Sequence, residues 1–161
     1  MHERPLFHAV QLLDEEPGTG ALMQVQFLSD HKDLGWQQTL ESEIAPLVRS
    51  AGLDELSEMG IRVALVEAVN NVIEHGYANS NGKPLKLRGR KDHLCLTFEL
   101  RDQGRPIPLP LPDGHPVDPM AGCGRGWQII RAAFPEVFYD RHNGENRLTL
   151  IRPLYDPRSA R

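Results

Sequence analysis

The stretch Ile61-Arg62-Val63-Ala64-Leu65-Val66-Glu67-Ala68-Val69-Asn70-Asn71-Val72-Ile73-Glu74-His75-Gly76-Tyr77 constrains this chain most. Ile61, Leu65, Ala68, Val69 and Val72 recur at three- and four-residue spacing, which predicts a helix with one apolar stripe. At about 100° per residue, Glu67, Asn70, Asn71 and Glu74 fall together on the other side. Such a helix must lay its apolar back on a core while its front offers carboxylates and amides. Glu67 and Asn71 stand one turn apart, so a carboxylate and an amide oxygen can reach one ligand cluster. The plain alternative is a polar face that serves only solubility.

A core for that helix is within the chain's means. Its 161 residues, 40% hydrophobic and 25% charged, are the composition of one soluble globular domain. We divide it into a lead-in over residues 1–20, a domain over 21–155 and a tail over 156–161. With 18 Lys+Arg against 22 Asp+Glu and a net charge of -4, there is no basic excess to draw the chain onto nucleic acid. Arg88-Gly89-Arg90-Lys91 fits a solvated strand end better than a phosphate patch. No apolar run approaches the roughly 20 residues of a membrane span, and the N-terminus lacks a signal pattern. Cys95 and Cys123 are too few and too unpatterned for a disulfide framework or a zinc site, so the expected location is a reducing cytoplasm, with a single bridge left open.

Along the chain, Leu22–Leu28 has strand character, and Asp33 is placed to cap a helix through Leu34, Leu40, Ile44, Leu47 and Val48 that closes at Gly52. A second helix opens near Asp54 and runs to Gly76. Asn79-Ser80-Asn81-Gly82 is a turn, Pro84–Gly89 a strand. His93–Asp102 is the clearest strand, with Leu94, Leu96, Phe98 and Leu100 in one phase. From Arg105 to Cys123 runs a loop holding Pro106, Pro108, Pro110, Pro112, Pro116 and Pro119, where both helix and sheet lose donors. A helix follows from Arg125 to Phe134, stopped by Pro135. Two strands, Glu136–Asp140 and Asn146–Ile151, flank a turn at His142-Asn143-Gly144-Glu145.

Three separated pieces carry chemistry. Glu67-x-x-x-Asn71 is the first. Asp102-x-Gly104 sets an acceptor carboxylate beside a residue that permits close backbone approach. Gly122-x-Gly124-Arg125-Gly126 leads into a helix, where free N–H groups, a positive helix end and Arg125 suit an anion. Taken singly, each of these is also an ordinary helix face, strand exit or turn.

Their order resembles the GHKL (Bergerat-type) ATP-binding superfamily, whose N, G1 and G2 boxes follow in this sequence. Within it the chain is most similar to the anti-sigma-factor serine kinase (RsbW-like) branch, over about Val25 to Pro153. The matching residues are Glu67 to Tyr77, Asp102-Gln103-Gly104-Arg105-Pro106 and Gly124-Arg125-Gly126. The resemblance implies an α+β fold, a two-layer α/β sandwich with a mixed, mostly antiparallel sheet, helices on one face and a flexible ATP lid. It implies that Asn71 ligates Mg²⁺, that Asp102 accepts from the adenine amino group with Gly104 giving the ring room, and that Gly122, Gly124, Arg125 and Gly126 cradle the phosphates of ATP or ADP. Glu67 becomes the general base. Asn70, His75, Pro106 and Thr149 join the nucleotide-binding set, Thr149 as the threonine that relatives often hold near adenine. From the residues alone, His75 fits helix-end packing, Trp127 core packing and Asn70 a supporting role.

The function implied is an ATP-dependent serine kinase that phosphorylates a STAS-type anti-sigma-factor antagonist and sequesters a sigma factor or similar regulator, as a homodimer. Gln37 or Gln38 stands where characterised relatives present an arginine to partners. A second expectation is an ATP/ADP-switched binding module with little or no phosphotransfer. The catalytic half of a histidine kinase fits less well, because no dimerisation helix pair with a phosphoacceptor histidine precedes the boxes and the Gly-Arg-Gly box is short.

Overall fold

A computed structural model of the chain describes residues 8–9, 21–30, 32–33, 35–115 and 125–155. Most of the lead-in, Leu34, the loop residues Pro116, Pro119, Gly122, Cys123 and Gly124, and the tail lie outside the described residues.

The strands are β1 (His8–Ala9), β2 (Ala21–Leu28), β3 (Pro84–Lys91), β4 (Cys95–Asp102), β5 (Glu136–His142) and β6 (Glu145–Pro153), and the helices α1 (Trp36–Ser50), α2 (Glu55–Asn71) and α3 (Arg125–Ala133). The strands form one sheet in the order β1-β2-β3-β4-β6-β5. All described ladders are antiparallel, so the parallel minority in the expected mixed sheet has no counterpart among these strands.

Strand alternation sorts the side chains into two faces. Met23, Val25 and Phe27 of β2, Leu85 and Leu87 of β3, Leu96, Phe98 and Leu100 of β4, and Leu148 and Leu150 of β6 are buried together. The helices cover this face: Leu40, Ile44 and Leu47 of α1, Ile61, Leu65 and Val69 of α2, and Ile130 of α3 share its core. Gln26, Arg88 and Phe138 lie in the opposite phase and are exposed. The result is the two-layer sandwich.

Local chemistry sets the helix ends. Asp54 caps α2, its carboxylate accepting from the Ser57 N–H at 2.7 Å. Asp33 is not the cap of α1, which begins one residue after Gly35; its carboxylate accepts instead from the Gly35 N–H. Beyond Asn71 the helix widens into a π turn, Val72–Gly76, closed by a 2.8 Å bond from the Tyr77 N–H to the Val72 carbonyl. At the far end, Asn143 and Gly144 have φ of 51° and 76°, the left-handed pair that a tight β5–β6 hairpin requires. Leu94 precedes β4, in a turn where the Asp92 carboxylate binds the N–H groups of Leu94 and Cys95, and it is exposed rather than in phase with Leu96.

Gly89 lets α1 sit on β3. A Cβ there would lie 2.6 Å from Leu47, 2.7 Å from Phe98 and 2.8 Å from Met23. Gly89→Ala is expected to lower stability by about 1–3 kcal/mol, the usual range for overpacking a filled core, while Gly82→Ala, whose Cβ meets nothing within 4 Å, loses only the strain of its φ of 75°. Denaturant midpoints of the two variants test the difference.

Candidate functional site

The second half of α2 with its π turn, the end of β4, the start of β6 and α3 enclose a cavity of about 510 Å³. Ala68, Val72, Ile107, Trp127 and Leu148 supply apolar wall; Asn71, His75, Asp102, Pro106 and Tyr139 also line it. An apolar cleft with a few convergent polar groups is the usual form of a small-molecule site.

Asp102 is buried at the end of β4, in the phase of Leu96, Phe98 and Leu100. Burial pushes its pKa up, and hydrogen bonds from Asn146 and Gly104 oppose the shift. Asn146 is its direct cross-strand partner in β6 and is also buried. The Asn146 amide nitrogen donates to Asp102 Oδ1 at 2.9 Å and the Gly104 N–H to the same oxygen at 2.8 Å. That amide nitrogen also reaches the Gly104 carbonyl at 3.0 Å. On its other side, Asn146 Oδ1 accepts from the Tyr139 hydroxyl at 2.6 Å and from Arg141 at 2.8 Å.

Gly104 is pressed against the end of the π turn. A Cβ on it would stand 2.7 Å from both the carbonyl carbon and the oxygen of Gly76, and the Arg105 N–H donates to that Gly76 oxygen at 2.8 Å. The Tyr77 hydroxyl adds a second tie, accepting from the Gln103 N–H and donating to the Pro84 carbonyl. Backbone thus meets backbone where the helix and the β4 exit converge.

At the other side of the cavity, α3 crosses α2. A Cβ on Gly126 would lie 3.1 Å from Glu67 Oε2 and 3.6 Å from both the amide nitrogen and oxygen of Asn71. Glu67 and Asn71 are half-buried beneath this crossing, and Arg125 is exposed beside it. The described part of the proline loop runs from Arg105 over the cavity to α3, where the Pro112 carbonyl accepts from Arg131 at 3.1 and 3.2 Å. Trp127 is buried, with the Arg131 guanidinium 6.0 Å from its ring centroid.

The expected residues therefore separate into groups. Asn71, His75, Asp102 and Pro106 line one cavity, Gly104 closes its edge, and Glu67 and Gly126 meet beside Asn71. His75 is exposed at the helix end, 3.9 Å from the Glu74 carboxylate. Asn70 is half-buried and is not part of the cavity wall. Gly122 and Gly124 lie outside the described residues. Thr149 has to be corrected: it pairs with Glu99 and Phe138, one residue out of phase with Leu148 and Leu150, so alternation puts it on the uncovered face of the sheet. Asn146 holds the position beside Asp102 instead. Its signal was a polar residue in the inward phase of an otherwise apolar alternation, Asn146-x-Leu148-x-Leu150.

Among the described residues no group of three His, Cys, Asp or Glu converges as a metal cage. The Asn71 amide oxygen, with the Glu67 carboxylate one turn away, is a sparse set of hard oxygen donors. It fits an ion that takes most of its ligands from phosphate and water, as Mg²⁺ does. No helix among the described residues is long and apolar enough to cross a membrane.

Gly104→Ala should disrupt the site through its backbone contact, costing about 1–3 kcal/mol or more. Gly76→Ala should be milder, because its Cβ would meet atoms only at 3.6 Å and beyond. Thermal melts of both variants, with amide-exchange rates at Arg105, check the ranking.

The sequence model of the family described as a histidine kinase-like ATPase domain matches residues 37–152. No curated protein matches the chain.

Proposed function

Because this chain belongs to the histidine kinase-like ATPase domain family, we propose that it is an ATP- and Mg²⁺-dependent protein serine kinase of a partner-switching system. Its substrate is a serine on a STAS-type anti-sigma-factor antagonist, and in its other state it sequesters a sigma factor or a similar regulator. The observation that carries this reading is the cavity itself: a buried acceptor carboxylate, Asp102, at one side, and Asn71 at the other with Glu67 one turn before it.

In this reading Asp102 accepts from the exocyclic amino group of adenine, and Ala68, Val72 and Leu148 flank the ring. Gly104, lacking a Cβ, lets the β4 exit close onto the Gly76 backbone beside that end. The Arg125 end of α3 favours the phosphates through its N–H groups and positive charge. The Asn71 amide oxygen would hold Mg²⁺, which when bound would supply positive charge to offset that of the phosphates. Glu67 takes the proton from the attacking serine hydroxyl; the new bond joins serine oxygen to the γ-phosphorus, the β–γ bridge breaks and ADP leaves. The half-buried setting of Glu67 under α3 keeps the carboxylate near Asn71. Gln37 and Gln38, both exposed at the start of α1, are uncharged residues for partner contact.

Glu67→Ala should leave ATP affinity within a few-fold of wild type and lower phosphoserine formation on the antagonist by about 10²–10⁴, the usual contribution of a positioned base. Phosphorylation that survives Glu67→Ala would remove the base from this account. Saturable ATP and ADP binding that alters partner capture without any phosphoprotein would instead establish a nucleotide-switched binding module.

A pH prediction follows from Asp102. Its pKa is raised by burial, so the ionised acceptor is lost on acidification at a higher pH than for an ordinary carboxylate. ATP affinity should therefore fall as the solution is acidified through that raised value. For folding the sign is opposite: a raised acid pKa favours the folded state at low pH, and that contribution fades as pH rises through it. Titrating ATP affinity against pH for wild type and Asp102→Asn checks the assignment, since the variant should bind weakly with no such step.

A further inference from the structure

Behind Asp102 lies a chain of hydrogen bonds whose directions are all determined. Arg141 can only donate, and its Nη1 donates to Asn146 Oδ1 at 2.8 Å and to the Gly104 carbonyl at 2.8 Å. The backbone N–H of Ile107 also can only donate, and it donates to the Tyr139 hydroxyl at 3.0 Å. The Tyr139 proton is therefore free for its other neighbour, Asn146 Oδ1, at 2.6 Å. Two donors thus converge on the amide oxygen of Asn146.

The opposite end of that amide meets acceptors: Asp102 Oδ1 at 2.9 Å, the Gly104 carbonyl at 3.0 Å and the Arg105 carbonyl at 3.4 Å. Rotating the amide by 180° would set its oxygen against three oxygens and its NH2 against two donors. Four of the five contacts would then be repulsive, the Tyr139 hydroxyl alone being able to turn and accept, so the NH2 faces Asp102. Gly104 N–H, a second obligate donor, binds the same Oδ1. Both protein donors at one oxygen favour the ionised carboxylate, whose other oxygen, Oδ2, can then only accept.

We infer that Arg141 and Tyr139, acting through the Asn146 amide, set Asp102 as an acceptor and so make the site select a purine bearing a 6-amino group over one bearing a 6-oxo group. They are positioning residues: polarity passes from Arg141 and the Ile107 N–H to Asn146, then to Asp102, then to the base. The Ile107 link also ties the start of the proline loop to the same relay, so loop seating and base choice share one hydroxyl. This inference rests on the reading that Asp102 receives the base.

The test uses the full chain and three nucleotides: ATP, purine riboside triphosphate with hydrogen at C6, and inosine triphosphate with oxygen there. Wild type should prefer ATP over the C6-hydrogen analogue by about 10- to 100-fold, the range of one hydrogen bond to a charged group, and should bind inosine triphosphate no better than that analogue. Arg141→Met, at a residue outside the cavity wall, should shrink the ATP preference by about tenfold or more while the C6-hydrogen analogue binds as before, because only the polarity of the acceptor has changed; adding Tyr139→Phe, which also removes a cavity-wall hydroxyl and the Ile107 tie, should shrink the ratio further. Arg141→Lys, which keeps a donor, should preserve the preference. If the double variant does not fold, the single Arg141→Met against Arg141→Lys reads the same ratio. A parallel loss of all three nucleotides with the ratio intact would overturn the inference and leave the cluster a structural role. A wild type that does not distinguish ATP from the C6-hydrogen analogue, or an Asp102→Asn variant that still does, would overturn the base assignment beneath it.

Discussion

A carboxylate held out of water has to be hydrogen-bonded or it does not stay charged. In this protein that carboxylate is Asp102, which occupies the β4 position where the strand would otherwise place another core side chain after Leu96, Phe98 and Leu100. Much of the local structure is the answer to that one requirement. Asn146 stands opposite it in β6, the β5–β6 hairpin brings Tyr139 and Arg141 onto Asn146, and the Gly104 N–H folds back onto the same oxygen. The strand order, with β6 between β4 and β5, is what makes these meetings possible.

The second requirement is close approach. Gly104 on Gly76, Gly126 on Glu67 and Asn71, and Gly89 under Leu47 each occupy places where a methyl group would be crowded. Two of the three border the cavity. The π turn at Val72–Gly76 belongs with them, since it carries the helix end to the β4 exit and presents the Gly76 carbonyl to the Arg105 N–H. Regular elements therefore define the Asp102 end of the cavity, whereas its roof is a proline-rich segment tied down through the Ile107–Tyr139 and Arg131–Pro112 bonds.

How much of this was legible beforehand differs from residue to residue. The helix from Asp54 to Gly76 was, because cap, stripe and glycine stop are all local signals. So were most of β4, the described part of the proline loop and the hairpin at Asn143-Gly144. The membership of Asn71 and Asp102 in a common site came from the order of the boxes, not from spacing, since no local rule says that residues 31 apart in sequence will line one cavity. Thr149 came from the resemblance alone, and strand alternation overrules it: side chains alternate with period two, and Thr149 lies one residue out of phase with the inward Leu148 and Leu150.

The sequence by itself determined which segments are helix and which are strand, which side of most of them is apolar, and which carboxylates and glycines were worth watching, because these depend on residues within a few positions of each other. Only the tertiary structure decided that Asn146 rather than Thr149 stands beside Asp102, that Gly104 touches Gly76, and that Gly126 lies over Glu67. Those contacts depend on register and on helix crossing, which are settled by packing between segments distant in the chain.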